Sequence, residues 1–344
     1  MLVRGGGVAA HCVAHLLSRA GVPVTLDDPG RARVPAIMIG DATQALITDV
    51  FARTALWDGL HRIERRIVAW GHSAAPKTLP HSAIVISEEQ LTTRLRPNIP
   101  AGVHSFAPQW TIHASPPLPP EVAERDFGSR HAQAVAVQLN NHMDPANCWI
   151  ESLENGWLFL IPNATNQGWL LAVGHEPESL LAASRIIAPE IASVTSTAGL
   201  FPAHPRMADP ICAPGWLACG TAAMAFDPIC GDGTGNAVRE AILAQAVIRA
   251  HNDLGDGVLD HYRIRLLLGF LRHLEQCRQF YSTGHSTDWW RGQLAQVLDG
   301  IAWCRCQLGS APPVVQYRLS GFDLQPANPP VIHPLPVDAI AVKE

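Results

Sequence analysis

The sequence predicts an α/β fold in which a parallel sheet is interrupted by an antiparallel sheet and followed by a helical carboxyl-terminal region. Three observations predict it. Residues 1–28 have the pattern of a strand, a glycine turn, a helix and a second strand that ends in acid. Apolar residues at helical spacing between 236 and 308 predict long buried helices. Alternating runs typical of antiparallel strands lie at 132–139, 148–152, 156–162 and 168–174.

The glycine turn has the spacing of a dinucleotide-binding motif. Gly5 permits a tight turn, Gly7 lets a pyrophosphate approach the backbone, and Ala10 lets the helix pack closely on the strand. Asp28, eighteen residues after Ala10, is placed to bind ribose hydroxyls. The predicted cofactor-binding residues of this motif are Gly5, Gly6, Gly7, Val8, Ala9, Ala10 and Asp28.

The segment has two other possible interpretations: an ordinary glycine turn before a helix, and an export signal. Arg4, the apolar stretch and residues 18–20 loosely imitate a signal peptide. Three consecutive glycines and the histidines His11 and His15 suit such a signal poorly, whereas Asp28 suits a nucleotide site. The dinucleotide interpretation is therefore favoured.

The composition is that of a globular protein, with 344 residues of which 47% are hydrophobic. A net charge of −5 with only two lysines, Lys77 and Lys343, argues against nucleic acid or an anionic membrane surface as a partner. No apolar run is long enough to predict a membrane span. The pair Cys304-x-Cys306 lacks a second pair, so we predict no metal site and expect reduced cysteines in a cytoplasmic protein.

After a connector rich in proline, glycine and arginine, a helix is predicted at 42–56. Residues 60–70 are basic and are also predicted to be helical. A strand at 83–86 then leads to Ser87, whose hydroxyl is a good helix N-cap because acidic residues follow it in the first turn.

The proline-rich stretch that begins at residue 97 marks a change in composition and predicts a domain boundary. A sheet inserted at this point would form a substrate wall. The predicted domains are a discontinuous nucleotide-binding domain at 1–96 and 205–260, an antiparallel β substrate domain at 97–204, carboxyl-terminal helices at 261–310, and an extended tail at 311–344.

A second glycine motif, residues 219–233, is more specific than the first. With the first it makes the chain resemble the flavoprotein monooxygenase superfamily that includes p-hydroxybenzoate hydroxylase. The closest branch contains tryptophan-halogenase-like proteins and the flavoproteins of quinone-cofactor maturation. In that family the first motif holds the ADP part of FAD in a Rossmann-type domain, and the second reaches the flavin. The resemblance assigns to the second motif Gly220, Thr221, Asp227, Pro228, Gly231, Gly233 and Thr234.

Further patches extend the resemblance over residues 1–295. They are 39–41, 69–71, 156–162 and the aromatic segments at 280–281 and 289–291. The chain departs from the family at Ala10, which replaces a glycine, and at Thr221, which replaces an aspartate. It also has Glu88 where relatives often carry arginine, and His113 where they have aspartate.

The resemblance implies a monooxygenase that transfers oxygen from a flavin C4a-hydroperoxide to an electron-rich aromatic ring. The substrate would be an indole or tryptophan, free or within a peptide or protein. Trp157 and Cys230 would line the pocket, and His72 and His113 are the candidate proton donors or orienting groups. No second G-x-G-x-x-G is present, so electrons would come from NAD(P)H docking transiently or from a partner flavin reductase.

The sequence leaves three alternative functions open. A halogenase would need a lysine, for which Lys77 is the available but unaligned candidate. An oxidase would bind a C–H donor beside the flavin, and nothing in the sequence excludes it. A non-catalytic scaffold or maturation partner is suggested by Thr221, Glu88 and His113.

Overall fold

The computed structural model describes residues 1–71, 75–99, 108–309 and 314–332. Its strands are β1 (Leu2–Arg4), β2 (Thr25–Asp27), β3 (Ile37–Gly40), β4 (His61–Ala69), β5 (Lys77–Ile86), β6 (Thr111–His113), β7 (Ala123–Asp126), β8 (His131–Leu139), β9 (Asn147–Leu153), β10 (Gly156–Ala164), β11 (Gln167–Gly174), β12 (Ile191–Pro202), β13 (Arg206–Asp209), β14 (Cys212–Ala213), β15 (Trp216–Ala218), β16 (Met224–Ala225), β17 (Val314–Ser320) and β18 (Asp323–Ile332). Its helices are α1 (Val8–Arg19), α2 (Asp41–Phe51), α3 (Glu88–Arg94), α4 (Pro177–Ala183), α5 (Gly233–Leu254), α6 (Gly257–Thr283) and α7 (Asp288–Leu308).

The first sheet confirms the predicted α/β fold. Its strand order is β14-β15-β6-β1-β2, and β2, β1, β6 and β15 run parallel. The apolar face of α1 packs beside this sheet, since Val13, Ala14 and Leu17 are fully buried. Arg4 pairs with His113 in register, so the ends of β1 and β6 lie at one edge. A parallel sheet presents its ligand site at this carboxyl edge.

The second sheet has eight strands in the order β12-β8-β11-β10-β9-β4-β5-β3. The four alternating runs predicted as strands form β8 to β11, and they pair antiparallel. Strands β3, β4 and β5 come from residues 37–86 and join the same sheet, β4 pairing parallel to β9. The sheet therefore extends beyond the predicted insertion at 97–204, whose limits stay a prediction.

The predicted helix at 60–70 is wrong, because these residues form β4. Ile63 and Ile67 are four residues apart, a spacing that fits one face of a helix and one face of a strand equally well. Pairing with β5 and β9 on both sides decides for the strand. The arginines supply cross-strand contacts, such as the 2.9 Å hydrogen bond that Arg65 donates to the Asn147 side chain on β9.

The helix at Ser87 is confirmed with a capping box: the Ser87 hydroxyl accepts from the Gln90 N–H, and the Gln90 side chain accepts from the Ser87 N–H. The predicted helix at 42–56 is shorter, as α2 ends at Phe51.

Residues 314–332, which fall in the predicted extended tail, form the hairpin β17–β18. The Arg249 guanidinium on α5 donates to Asp323 at 2.5 Å, and the Tyr317 ring lies 5.6 Å from that of His261 on α6. These contacts anchor the hairpin on the helical layer. Within the described ranges, none of the helices is both long and apolar enough to cross a lipid bilayer.

Candidate functional site

The two glycine motifs, 215 residues apart in the sequence, come together in the fold. Gly220 has a φ of +58°, and a Cβ on it would lie 2.7 Å from the Cβ of Ala9. Its N–H donates to the Glu240 carboxylate of α5 at 2.7 Å. Only glycine can hold this backbone conformation and this approach to α1. This contact packs the start of the second motif against the first turn of α1.

The first glycine loop also contacts the residues that follow β6. Gly5 has a φ of +133°, and its N–H donates to the Asp27 carbonyl at 2.7 Å. A Cβ at Gly5 would lie 3.1 Å from both the Ala114 carbonyl carbon and the Ser115 hydroxyl oxygen. That hydroxyl is buried and has no partner among the described residues. The loop is thus shaped by glycine at the edge where a parallel sheet binds its ligand.

The amino terminus of α1 is covered by an ion pair. No described side chain caps the helix at Gly7. Arg31 and Glu88 pair closely in front of it, and a Cβ at Gly7 would lie 3.1 Å from the Arg31 guanidinium and 3.4 Å from the Glu88 carboxylate. Glu88 also accepts from the Val34 N–H at 2.9 Å, and its side chain is 4% exposed. The residue standing where relatives often carry arginine is therefore a buried, paired carboxylate.

Asp28 lies across the glycine turn and is held there by Arg33. The Arg33 guanidinium donates to the Asp28 carboxylate at 2.7 Å and to the Gly6 carbonyl at 2.6 Å. The carboxylate fills the space that a Cβ on Gly6 would occupy. Asp28 is thus close to the motif, as predicted.

These residues fit a dinucleotide phosphate. The uncapped N–H groups of α1 and the guanidinium groups of Arg31 and Arg33 would each favour negative charge. The carboxylates of Asp28 and Glu88 balance the two cations. A phosphate would therefore compete with Glu88 for Arg31 rather than meet an empty cationic site.

Asp227 in the second motif is a structural anion. It is buried and accepts from Arg130, from the Tyr281 hydroxyl at 2.9 Å and from the Ile229 N–H at 3.0 Å. Arg130 also donates to Gln293 at 2.8 Å. Burial alone would lower the pKa of Arg130, but Asp227 and then Tyr281 raise it, so the pair stays charged. Asp227 therefore fixes the turn at 228–230.

A cavity of about 350 Å³ opens beside this turn, between the start of α5 and α6. Its lining combines the apolar Phe226 ring with the polar groups of Asn236, Arg272 and His273. Of the four predicted catalytic residues, Cys230 alone contributes to its described lining. The other motif residues on its rim are Asp227 and Gly233.

The other predicted catalytic residues lie elsewhere. Trp157 on β10 is 1% exposed, and its indole N–H has no partner among the described residues. His113 ends β6, its Nδ1 lies 2.9 Å from the Pro117 carbonyl, and burial lowers the pKa of its imidazole. His72 lies outside the described residues. Three patches of the sequence resemblance do converge: Trp70 contacts Phe280 and Trp290, with ring centroids 5.8 and 5.4 Å apart.

The other residues of the second motif border open space or solvent. Thr221 is exposed, Gly231 has a φ of +72°, and a Cβ at Gly233 would meet nothing within 4 Å. Thr234 lies in the first turn of α5 and is half-buried. This edge can accept a ligand without rearrangement of the backbone.

Sequence reasoning missed several residues of the site. Arg130, His273 and Cys277 reach it from other elements, and no local pattern marks them. Glu240 lies two helical turns inside α5, and burial raises the pKa of its carboxyl to about 8. The arginines after Asp28, in Pro-Gly-Arg-Ala-Arg, were the one available signal, since they follow the strand that ends the first motif.

No family model and no curated protein sequence matches the chain. Solved structures do share its fold. The flavin-dependent halogenase CmlS superposes with a TM-score of 0.72 at 16% identity, covering 88% of this chain and 69% of its own. QhpG, described as a peptidyl tryptophan dihydroxylase essential for tryptophylquinone cofactor biogenesis, gives 0.70 at 17% identity, with 95% and 85% covered.

The myxobacterial chondrochloren halogenase CndH, described as a variant of FAD-dependent halogenases, gives a TM-score of 0.70 at 14% identity and covers 85% of each chain. The chain therefore has the fold of flavin-dependent halogenases and of the tryptophan dihydroxylase. The predicted resemblance is confirmed at the level of the fold.

Proposed function

We propose that the protein is an FAD-dependent monooxygenase that acts on an electron-rich aromatic ring of the indole or tryptophan type. The observation that carries the proposal is the contact of Gly220 with Ala9, which brings the start of the second glycine motif against the first turn of α1. A chain whose motifs served only as local turns would have no need to bring them together.

The first motif would hold the ADP part of FAD. Gly5, Gly6 and Gly7 allow the close approach, and the N–H groups of Val8, Ala9 and Ala10 point toward the phosphates. Arg31 and Arg33 would orient the phosphates, and Asp28 would accept from the ribose.

The second motif would hold the flavin. Gly233 and Thr234 supply N–H groups at the start of α5, which favour the negative charge of a reduced ring, and Gly231 makes the turn that precedes them. Gly220 and Thr221 would contact the ribityl chain, while Asp227 and Pro228 hold the turn. FAD, when bound, supplies the activation of oxygen, and electrons come from NAD(P)H or a partner reductase.

The protein residues would position the aromatic ring and exclude water. The fold of QhpG, whose name assigns it a peptidyl tryptophan, supports a tryptophan within a peptide as the substrate. Buried Trp157 would form an apolar part of the site, Cys230 would border the cavity, and His113 would orient a polar group. Burial lowers the pKa of the His113 imidazole and so favours its neutral form.

FAD binding is the first test. Gly7→Val should abolish FAD retention because the added side chain would stand between α1 and the phosphate. Gly292→Val is the matched control, since Gly292 lies on an exposed part of α7 where a Cβ meets nothing within 4 Å. FAD is measured by absorbance after gel filtration. Loss of FAD in both variants, or in neither, would contradict the assignment of the first motif.

The reaction is tested with the FAD-loaded protein, NADH and a flavin reductase. Tryptophan-containing peptides and free indole are offered as substrates, with and without bromide, and products are analysed by mass spectrometry. Addition of oxygen to the ring is expected. A brominated product would show halogenation instead, and reduction of FAD without any substrate modification across these compounds would count against the monooxygenase proposal.

A further inference from the structure

Two cysteines that are 47 residues apart in the sequence meet at the cavity. Cys230 ends the 3₁₀ turn at 228–230, and Cys277 lies on α6. Their sulfur atoms are 3.7 Å apart. Cys230 is half-buried and lines the cavity, whereas Cys277 is buried. One thiol of the pair is therefore reachable by a small molecule and the other is screened.

His273 lies one helical turn before Cys277, so its imidazole contacts the same pair. Its Nε2 atom lies 3.3 Å from the Cys277 sulfur and accepts from the Asp227 N–H at 2.9 Å. Because that N–H donates to it, Nε2 carries no proton. The ring is therefore a hydrogen-bond acceptor that contacts the Cys277 sulfur.

Cys230 is the sulfur of the pair that an oxidant can reach, because it borders the cavity whereas Cys277 is buried. A hydrogen bond from the Cys277 thiol, opposed by burial, lowers the pKa of Cys230 below its usual range. Burial raises the pKa of Cys277 well above its usual range. A thiolate reacts with oxidants where a thiol does not, so Cys230 is the nucleophile of the two.

Cys230, His273 and Cys277 are also spaced as metal ligands could be, since their ligand atoms lie within 4.8 Å of one another. A thiolate and imidazole set suits zinc. Here, however, the lone pair of His273 Nε2 already accepts from Asp227, and a metal ion would have to break that bond. The hydrogen bond between the two sulfurs favours chemistry between them instead.

We propose that Cys230 and Cys277 are a redox-active pair that hydrogen peroxide converts into a disulfide. The Cys230 thiolate attacks the O–O bond, giving a sulfenic acid and hydroxide, which takes up a proton to become water. The Cys277 sulfur then attacks the Cys230 sulfur, its proton leaves with the sulfenic hydroxyl as a second water, and the S–S bond forms. Peroxide gains the two electrons that the thiols lose.

Closure requires the sulfurs to move from 3.7 Å to about 2.05 Å, the length of an S–S bond. The bond would tie the turn of the second glycine motif to α6. This inference goes beyond the proposed function, because it depends on the contacts of the pair and holds whether or not the protein binds FAD.

The test uses the full chain treated with hydrogen peroxide, followed by alkylation and peptide mapping without reduction. We expect a cross-linked peptide pair containing Cys230 and Cys277 that has lost two hydrogens and that dithiothreitol restores. Cys306 is exposed and serves as an internal reference. Cys230 should lose its thiol at least tenfold faster than Cys306.

Two variants separate the roles. In Cys277→Ser, Cys230 should stop at the sulfenic acid, which dimedone traps. In Cys230→Ser, Cys277 should stay reduced. Cys304→Ser, which changes another buried cysteine, should form the cross-link as the unchanged protein does.

Peptide mapping of the unchanged protein tests the disulfide proposal even if a variant fails to fold. Oxidation of Cys306 without a cross-link between Cys230 and Cys277 would overturn the proposal. So would stoichiometric zinc in the purified protein that prevents the cross-link and that Cys277→Ser removes.

Discussion

Glu88 places a buried carboxylate at the start of α1, where the proposed phosphate would bind. A negative charge at a helix amino terminus competes with a phosphate for the same field. Glu88→Gln removes that charge and frees Arg31, so we predict that FAD binds about tenfold more tightly, a change of about 1.4 kcal/mol. Titration of the apo protein with FAD by fluorescence measures it.

Glu89→Gln is the control for this change, because Glu89 is the exposed neighbour in the same helical turn. It should leave the dissociation constant within twofold. If Glu88→Gln weakens FAD binding, the ion pair with Arg31 is part of the binding site rather than a competitor.

Glu240 predicts a pH dependence of stability. Burial raises the pKa of its carboxyl to about 8 from an ordinary 4.5, so the folded state holds a proton that the unfolded state releases. This contribution to stability is complete below about pH 4.5 and is lost as the pH rises toward 8. Glu240→Gln keeps an acceptor for the Gly220 N–H and should remove the dependence.

The free energy of unfolding is measured in urea at pH 5, 6, 7 and 8 for both proteins. The advantage of Glu240→Gln over the unchanged protein should grow by roughly 1 kcal/mol per pH unit between pH 5 and 7 and level off near pH 8. Parallel pH profiles would show that the Glu240 carboxyl is ionised in the folded protein.

At the scale of elements, the hairpin β17–β18 is predicted to be part of the folded unit. Leu324 is 8% exposed and packs in the main hydrophobic cluster, whereas Leu319 on the partner strand is 40% exposed. Leu324→Ala should lower the free energy of unfolding by about 2 kcal/mol. Leu319→Ala should change it by less than about 0.5 kcal/mol.

Urea denaturation measures both values, and limited proteolysis reports whether the hairpin detaches. Equal, small effects of the two substitutions would mean that the hairpin adds little to the fold.

Local patterns predicted the elements whose period is unambiguous. In strand β11, buried and half-buried residues alternate from Gly168 to Ala172, and Ser87 caps α3 as its chemistry requires. Strand β4 was predicted as a helix because Ile63 and Ile67 satisfy both periods, and only pairing with β5 and β9 distinguishes them. The hairpin was not predicted, since its prolines favour an extended tail when the neighbouring helices are unknown.

In the candidate site, too, residues marked by a local pattern were predicted and residues brought in by distant elements were not. Gly5, Gly7 and Gly220 were identified from the sequence because tight turns and close approaches of the backbone favour glycine. Arg130 pairs with Asp227 from 97 residues away, and Cys277 meets Cys230 across 47. Such contacts are set by the packing of separate elements, which a single sequence does not encode in any local spacing.

At the scale of the whole molecule, the eight-stranded sheet divides the core into two clusters. Trp157 and Phe159 on β10 face the large cluster, which also contains Ala9 and Ala222 of the glycine motifs. Leu158 and Leu160 face a separate cluster on the other side of the sheet. The proposed site and the second cluster therefore share a strand but no side chains.

This separation predicts that stability and function can be changed independently along one strand. Leu160→Ala should lower the free energy of unfolding by about 3 kcal/mol and leave the FAD dissociation constant within twofold. Trp157→Ala should lower stability by a similar amount and also reduce product formation at least tenfold, because it opens the wall that excludes water. Urea denaturation measures stability, and FAD titration measures cofactor binding. Products are analysed at a temperature about 20 °C below the melting temperature of each variant, so that both proteins stay folded. If Leu160→Ala reduces product formation as strongly as Trp157→Ala, the two faces of the sheet are coupled and the site extends through it.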